Sequence, residues 1–352
     1  MSRARTDGNF TLDRERDLPG RTFSRDFLPM IIDCHNHIGA DLMFYLHGDF
    51  PYAQHLVAMH DEGRALGVDR WIVFPFVTYA AMNVAKLRQG EIEFPGGIEH
   101  VPYALENRRL LSEVHDLFPE LAPRMLPFVM VDPMRETAAQ ASELRKLRER
   151  YRFHGIKLQT TIIQAPIKHL LDQGKVFLEL AAEWDLPFLI HSSIAESDLW
   201  AQCSDILDVA EANPHLRFLL AHSCRYDKPS LDRVNELPNA WFDNSAHCIH
   251  CEGVVKEMPF VAKKHRRFDS DYSNPARVIA DLAAAYPTKF CWGSDSPFYS
   301  YAAEINGEVV RLICDYPTEV NALTACGPDV VNRIANENTR AWLKLHDESL
   351  LA

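Results

Sequence analysis

Eight short apolar segments recur along the chain, and this recurrence constrains the fold more than any other feature. Each segment is bounded by proline, glycine or charged residues, and each is followed by a stretch with helical periodicity. Repeated strand and helix units of this kind build a parallel sheet that is covered by helices. The predicted strands cover residues 30–34, 70–75, 125–132, 154–159, 187–191, 216–222, 241–245 and 289–295.

Four intervening helices are predicted with definite ends. They cover residues 136–151, 175–184, 204–213 and 275–286, with Ser204 as the N-cap of the third. Polar residues end strands throughout the chain, and a closed barrel brings all such ends to one mouth. We therefore predict an α/β fold, a (β/α)8 TIM barrel in a single domain, with a doubly wound open sheet as the alternative.

The predicted barrel occupies residues 30–346, between an N-terminal extension at 1–29 and a C-terminal tail at 347–352. The extension is polar and arginine-rich, without the apolar core of a signal peptide. A long segment at 78–105 is rich in glycine and proline, which predicts an elaborated loop over the barrel mouth. We expect this loop to act as a lid or substrate rim.

The charge balance disfavours polyanionic partners. The chain has 37 Lys and Arg residues against 49 Asp and Glu, a formal net charge of -12, and no long basic run. We therefore expect a small-molecule substrate rather than nucleic acid or a membrane surface. The eight cysteines are scattered and no secretory signal is evident, which predicts reduced thiols and a cytoplasmic protein.

Cys248 and Cys251 form an isolated CxxC motif, flanked by His247 and His250. A zinc ribbon needs a second such pair, and a redox motif needs a thioredoxin-like context. Neither is evident, so the sequence gives this motif no function.

Two histidines leave the end of the first predicted strand on the same side. His35 and His37 are two residues apart, and alternate residues of a strand face the same way. Later predicted strands end in His191, His222 and Asp295. A single polar residue at the end of a strand commonly has a structural role. All of these residues, however, fall on the face of the barrel that carries active sites. Imidazoles and a carboxylate suit one divalent ion, zinc by default, with manganese, iron and cobalt left open.

A metal of this kind predicts roles for two of these residues. The ion lowers the pKa of a bound water from about 15.7 to about 7. Asp295 is then a catalytic residue that both holds the metal and accepts the water's proton. His222 is the second predicted catalytic residue, because it can bind the hydroxide or polarise a substrate carbonyl.

Several motifs in combination resemble the amidohydrolase superfamily, within the group that contains aminocarboxymuconate semialdehyde decarboxylase, resorcylate decarboxylases and pyrone dicarboxylate lactonase. The resemblance runs from about Met30 to Leu345. None of the motifs is specific alone. They are Asp-Cys-His-Asn-His at 33–37, Pro-Phe-Val-Met-Val-Asp-Pro at 127–133, Gly-Ile-Lys-Leu at 155–158, Trp-Phe-Asp-Asn-Ser at 241–245, Trp-Gly-Ser-Asp-Ser-Pro at 292–297 and Asn-Glu-Asn-Thr-Arg at 336–340, with the strand ends at His191 and His222.

The resemblance implies a mononuclear metal site and a catalytic histidine beside it. The implied ligands are His35, His37, His191 and Asp295, and the implied catalytic histidine is His222. A homodimer is expected on the same ground.

Lys157 has more than one interpretation. In binuclear members of the superfamily a carboxylated lysine at the end of the fourth strand bridges two metals, and Lys157 falls at that position. The alternatives are an ion pair inside the barrel mouth or a contact to a substrate carboxylate. Asn107 and Asn338 also match recurrent family positions, for which structural roles are expected.

Candidate substrate contacts lie just past the predicted strand ends. The predicted substrate-binding residues are Arg225, Lys157 and Tyr79. The guanidinium of Arg225 can bind a substrate carboxylate with two hydrogen bonds. The alternative is that it forms an ion pair with Asp227 or with a surface carboxylate. Further residues that qualify by position are Arg135, Gln159, Thr160, Ser193, Tyr226, Ser245, His247 and Phe298.

Three functions fit these residues. The favoured one is a metal-dependent hydrolase of a C–O or C–N bond in a small, carboxylated compound. A second is a non-oxidative decarboxylase of an aromatic or muconate-like acid, with an aromatic pocket floor drawn from Phe74, Phe76, Trp292 and Phe298. The third is a catalytically inactive binding barrel, and the intact ligand set argues against it.

Overall fold

The structure is a computed structural model that describes residues 29–41, 52–76, 101–305 and 307–345. Its main sheet has nine strands, of which eight run parallel. All eight predicted strands are confirmed, with ends shifted by a few residues. In chain order the strands are β1 (Ile32–Ala40), β2 (Ala53–Gln54), β3 (Arg70–Pro75), β4 (Met125–Met130), β5 (Gly155–Leu158), β6 (Phe188–Ile190), β7 (Phe218–Leu220), β8 (Ala240–Asp243) and β9 (Phe290–Cys291), with β2 antiparallel to β1.

The sheet closes into a barrel at the seam between β1 and the segment that follows β9. The His37 amide donates to the carbonyl of Ser296 at 2.8 Å, and the Asp295 amide donates to the carbonyl of His35 at 2.9 Å. These bonds join the first strand of the barrel to the last. The fold is therefore the predicted α/β TIM barrel, and the alternative of an open sheet is wrong.

Alternate residues of each barrel strand face two different cores. In β6, Phe188 and Ile190 pack outward against the helices, while Leu189 points into the barrel interior. Gly155 of β5 allows a close approach inside the barrel, because a Cβ atom there would lie only 2.2 Å from the ring of Phe128. Burial on both faces explains why the strands are continuous apolar runs in the sequence.

The four predicted helices are present at Thr137–Arg150, Lys175–Trp184, Cys203–Ala212 and Pro275–Ala285. The prediction that Ser204 caps the third helix is wrong. Ser204 lies inside that helix, and the N-cap residue is Gln202. The Gln202 side chain makes no capping bond, because its amide donates to the carbonyls of Ala195 and Asp198 in the preceding loop.

Other elements were not predicted from the sequence. A hairpin of β10 (Ser300–Ile305) and β11 (Glu308–Ile313) stands outside the barrel sheet. Most described side chains of β11 are exposed, so it lacks the apolar run that identifies a barrel strand. Unpredicted helices include Leu56–Ala65, Ala104–Ser112, Lys228–Glu236, His247–Val255 and Tyr316–Thr324.

The two asparagines with expected structural roles hold backbone groups of the barrel. Asn107 binds both the amide and the carbonyl of Met130, at 2.8 and 2.9 Å. Asn338 donates to the carbonyls of Pro287 and Phe290, on either side of the start of β9. Asn107 therefore fixes the C-terminal end of β4, and Asn338 fixes the start of β9.

Some predictions concern residues outside the described ranges. They are the contact from Tyr79, most of the loop at 78–105, nearly all of the N-terminal extension, and the C-terminal tail. The structure does not test them. Within the described ranges, no helix combines the length and the apolar character that crossing a membrane requires.

Candidate active site

Three of the four predicted metal ligands meet at the barrel seam. His35 and His37 extend from β1, Asp295 follows β9, and one ligand atom from each lies within 4.8 Å of the others. Asp295 Oδ1 is 3.1 Å from His35 Nε2 and 3.3 Å from His37 Nε2. Tetrahedral ligands about 2.0–2.1 Å from an ion stand about 3.3–3.4 Å apart, so this spacing suits a metal.

The hydrogen bonds of His35 explain why these atoms call for a cation. His35 Nδ1 lies 2.9 Å from Oδ2 of Asp243, and because a carboxylate only accepts, Nδ1 carries the proton of the neutral ring. His35 Nε2 then points its lone pair at Asp295 Oδ1, which has no hydrogen-bond donor among the described residues. Two facing acceptors repel each other unless a cation accompanies them. A metal ion would bind both, and Nζ of Lys157 lies 3.1 Å from His35 Nε2.

The ionisation of these groups also suits a metal. Burial alone would raise the pKa of Asp295, but its interactions with His35 and His222 hold it well below its usual value. Burial lowers the pKa of His37 to about 4. Near neutral pH the carboxylate is therefore ionised and His37 is neutral, which are the forms that coordinate metals.

Lys157 lies beneath this cluster, inside the barrel. Its Nζ is 3.1 Å from His35 Nε2 and 4.6 Å from the centre of the Phe74 ring. The side chain is fully buried and is not among the residues that line the cavity at the mouth. Burial lowers its pKa to about 8, against the opposing charges of Asp295 and Asp243. Lys157 is thus placed beside the candidate ligands rather than against a substrate.

His191 stands next to the three-residue cluster and is not part of it. Its Nδ1 is 3.0 Å from His222 Nε2, and its Nε2 is 3.3 Å from Nη2 of Arg225. Because a guanidinium only donates, His191 accepts at Nε2 and donates from Nδ1 to His222. The role of His191 as a fourth ligand therefore stays a prediction.

Asp243, at the end of β8, is a functional residue that the sequence reasoning missed. Besides His35, it accepts the amide of His222 at 3.0 Å, and the amide and hydroxyl of Ser245 at 2.9 and 2.5 Å. The Ser245 hydroxyl in turn accepts from His222 Nδ1 at 2.9 Å. Asp243 thus fixes which nitrogen carries the proton in His35 directly, and in His222 through Ser245. Its place at a strand end, in a motif that carries the resemblance, was the available signal.

A left-handed turn after β7 presents His222 and Arg225 to the same cavity. All five residues from 222 to 226 have φ between 47° and 66°. This conformation costs about 1–2 kcal/mol for each residue other than glycine. Surrounding bonds hold the turn, including that from the His222 amide to Asp243 and that from the Ala262 amide to the Arg225 carbonyl at 3.0 Å. Strain held in this way is typical of functional sites.

Arg225 reaches the cavity wall without a carboxylate partner among the described residues. Its Nε donates to the Ser192 carbonyl at 3.1 Å, and its two terminal nitrogens contact His250 and His191. The alternative of an Arg225–Asp227 pair is wrong, because Asp227 pairs with Arg266 at 2.7 Å. The guanidinium charge therefore faces imidazoles and the cavity.

The cavity above the cluster has a volume of about 410 Å³. Of the candidate contacts, those that line it are Gln159, Ser193, Arg225 and Phe298. His250 and Phe260 also line it and were not predicted to do so. The remaining described candidates are not among its lining residues, and neither are three of the four aromatic residues proposed for a pocket floor, namely Phe74, Phe76 and Trp292.

Two sequence comparisons bear on the relationship of this chain to known proteins. A protein-family model described as amidohydrolase matches residues 32–345. This range contains every described strand of the barrel and all the candidate ligands. No curated protein sequence matches the chain.

Solved structures with the same architecture cover nearly the whole chain. The 2,6-dihydroxybenzoate decarboxylase from Rhizobium is 14% identical with a TM-score of 0.57, and the match covers 91% of this chain and 100% of that one. The 5-carboxyvanillate decarboxylase from Novosphingobium aromaticivorans, solved with manganese, is 11% identical with a TM-score of 0.57, over 91% and 98% of the two chains. A probable 2-pyrone-4,6-dicarboxylic acid hydrolase from Acinetobacter baumannii is 12% identical with a TM-score of 0.52, over 90% and 100%. These likenesses establish the fold.

Proposed function

The chain belongs to the amidohydrolase family, and on that premise we propose that it is a metal-dependent hydrolase of a C–O or C–N bond in a small carboxylated substrate. The observation that carries the proposal is that His37 and Asp295 of the three-residue cluster line the same cavity as the Arg225 guanidinium, which has no carboxylate partner among the described residues. The cluster supplies hydrolytic chemistry, and the Arg225 guanidinium selects an anionic substrate.

In this proposal His35, His37 and Asp295 hold the ion, and His191 completes the ligand set. When bound, a divalent ion lowers the pKa of a coordinated water and polarises a substrate oxygen. Nitrogen and carboxylate ligands suit zinc, our first choice, while manganese is the metal in one similar structure. Dialysis against a chelator, followed by restoration of activity with each metal in turn, distinguishes these ions.

The protein's own groups manage the protons. Asp295 is ionised, so it would accept the proton of the attacking water, and its Oδ2 lies 3.9 Å from His222 Nδ1. His222 carries its proton on Nδ1, so its Nε2, which accepts from His191 Nδ1 at 3.0 Å, is the atom that would exchange protons with the substrate or leaving group when that contact opens. Asp243 acts as a positioning residue that keeps His222 in this form.

Arg225 provides the direct test of substrate class. A hydrogen bond to a charged group contributes about 1.5–3 kcal/mol. Arg225→Met should therefore raise KM for a carboxylated lactone or amide by roughly ten- to a hundredfold. A neutral ester of the same compound should be hydrolysed by both proteins with similar KM. The matched control is Arg233→Met, because Arg233 pairs with Asp208 on the outer helices. An unchanged KM for the carboxylated substrate in Arg225→Met would refute the assignment.

Decarboxylation is the second candidate, and one observation favours it. The ring of Phe298 lines the cavity and meets the ring of His37 at a centroid distance of 4.9 Å, which puts one aromatic surface beside the candidate metal ligands. Two of the similar structures are aromatic acid decarboxylases. The reactions differ in their products, since hydrolysis incorporates oxygen from labelled water and decarboxylation releases carbon dioxide. Release of carbon dioxide without label incorporation would replace the hydrolase proposal.

A further inference from the structure

A second cluster of candidate metal-binding side chains lies on elements outside the barrel strands. It consists of Cys248, Cys314 and Glu319, each of which offers one ligand atom within 4.8 Å of the other two. Cys248 belongs to the CxxC motif that the sequence analysis left without a function. The structure supplies the missing partners from distant parts of the chain.

Each member of this cluster comes from a different element. Cys248 is in the helix His247–Val255 that follows β8, Cys314 directly follows β11, and Glu319 is in the helix Tyr316–Thr324. The other cysteine of the motif, Cys251, faces elsewhere and lies 3.3 Å from the hydroxyl of Tyr226. The CxxC motif therefore contributes one thiol to the cluster rather than two.

Glu319 is the observation that points to a cation. Its side chain is buried, with an exposed fraction of 1%. Oε1 accepts the Cys248 amide at 2.9 Å, and Oε2 has no hydrogen-bond partner among the described residues. No described Lys, Arg or His forms an ion pair with it, so Oε2 is a buried oxygen without a donor among the described residues. A buried carboxylate is costly unless a proton or a cation joins it, and the two neighbouring thiols make a cation a fitting partner.

The spacing of the cluster suits a tetrahedral ion with sulfur and oxygen ligands. Cys314 Sγ is 3.8 Å from Glu319 Oε1. Metal–ligand bonds of about 2.0–2.3 Å place tetrahedral ligands about 3.3–3.8 Å apart. Cys248 and Cys314 are both partly exposed, so an ion can enter and water can fill a fourth position.

We propose that Cys248, Cys314 and Glu319 form a second metal site, which binds Zn²⁺ independently of the His35 cluster. Two thiolates select a soft or borderline ion such as Zn²⁺ over manganese or magnesium. A disulfide between the same cysteines is the competing interpretation, but it would leave Oε2 of Glu319 without a partner. The metal accounts for all three side chains.

The site would join two walls of the active-site cavity. Residues Ser300 and Tyr301 of the hairpin line the cavity, as do Ile249 and His250 of the helix His247–Val255. Cys314 lies at the end of that hairpin, and Cys248 is in that helix. Zinc bound between them ties the hairpin to the helix.

Cobalt substitution separates the two sites, because a thiolate bound to Co²⁺ gives near-ultraviolet charge-transfer absorption that histidine and carboxylate ligands do not give. The full chain is stripped with a chelator, reduced, and titrated with Co²⁺. Wild type should show the near-ultraviolet band, and Cys314→Ser and Cys248→Ser should each reduce it by at least about half, because each variant keeps only one of the two thiolates. The double variant should lose it. Glu319→Gln should keep the band with affinity for Co²⁺ lower by at least about tenfold. Cys326→Ser is the matched control, since Cys326 is partly exposed and outside the cluster.

Two further measurements make the outcome decisive. Zinc content of purified protein should fall by about one ion per chain in Cys314→Ser, and circular dichroism checks that each variant is folded. The proposal is overturned by the lack of a near-ultraviolet band in wild type, by a band of undiminished intensity in both cysteine variants, or by a Cys248–Cys314 disulfide found on peptide mapping without reductant.

Discussion

Replacing Asp243 with asparagine tests whether this residue sets the proton positions of the active site. Asparagine keeps the size of the side chain but has one acceptor oxygen and an amide that only donates. If the oxygen serves the donors from His222 and Ser245, the amide group faces His35 Nδ1, now 2.9 Å from Oδ2 of Asp243. His35 must then move its proton to Nε2, the atom that faces Asp295, and loses the lone pair that binds the metal.

The expected loss follows from the cost of removing such a partner. Changes to residues that orient metal-binding histidines weaken metal binding by about 10–100-fold, or about 1.4–2.8 kcal/mol. We expect Asp243→Asn to fall in this range when metal affinity is measured by competition with a chromogenic chelator. The measurement belongs in a Cys314→Ser background, so that the proposed second site does not contribute.

Asp281→Asn is a suitable control, because Asp281 pairs with Arg277 on an outer helix. A folded Asp243→Asn protein that binds metal as tightly as the control would refute the reasoning. In that case the proton of His35 would not depend on Asp243.

Four other substitutions have definite expected results. Asp295→Asn should abolish nearly all turnover in a folded protein. His222→Asn should keep its metal and lose most of its activity. Metal analysis and initial rates test both variants, and loss of metal from His222→Asn would show that His222 is a ligand. Burial lowers the pKa of His154 to about 3 from 6.5, so the unfolded chain binds a proton that the folded chain does not, and stability falls as pH drops below about 6.5. His154→Gln should flatten this fall in urea unfolding between about pH 6.5 and 4, and an unchanged slope would contradict it. Gly155→Ala places a Cβ 2.2 Å from the Phe128 ring, so it should destabilise the fold by about 1–3 kcal/mol and lower Tm; an unchanged Tm would show that the ring moves freely.

The barrel strands could be predicted because burial on both faces demands continuous apolar residues. His35, His37 and Asp295 could be predicted for a related reason, since polar residues that directly follow such runs reach the barrel mouth. The hairpin of β10 and β11 could not be predicted. Most of the described side chains of β11 are exposed, and the hairpin is not part of the barrel sheet.

The parts of the site that escaped prediction depend on contacts between distant residues. The role of Asp243 rests on a bond to His35, which is 208 positions away in the chain. The left-handed turn at 222–226 contains no glycine or asparagine that would mark it. It is held by partners such as Ala262, and a local pattern does not contain that information.

The seam of the barrel also determines when the site can form. His35 and His37 leave the ribosome early, but the carboxylate of Asp295 arrives only with the last strand, so a growing chain holds an incomplete set of ligands. Bringing β1 and the segment after β9 together closes a very long loop, which is slow. An ion that binds only the closed barrel shifts the equilibrium from the open to the closed form. Metal uptake should therefore report the final step of assembly. A chain truncated before β9 should bind the ion far more weakly than the full chain, although it keeps both histidines.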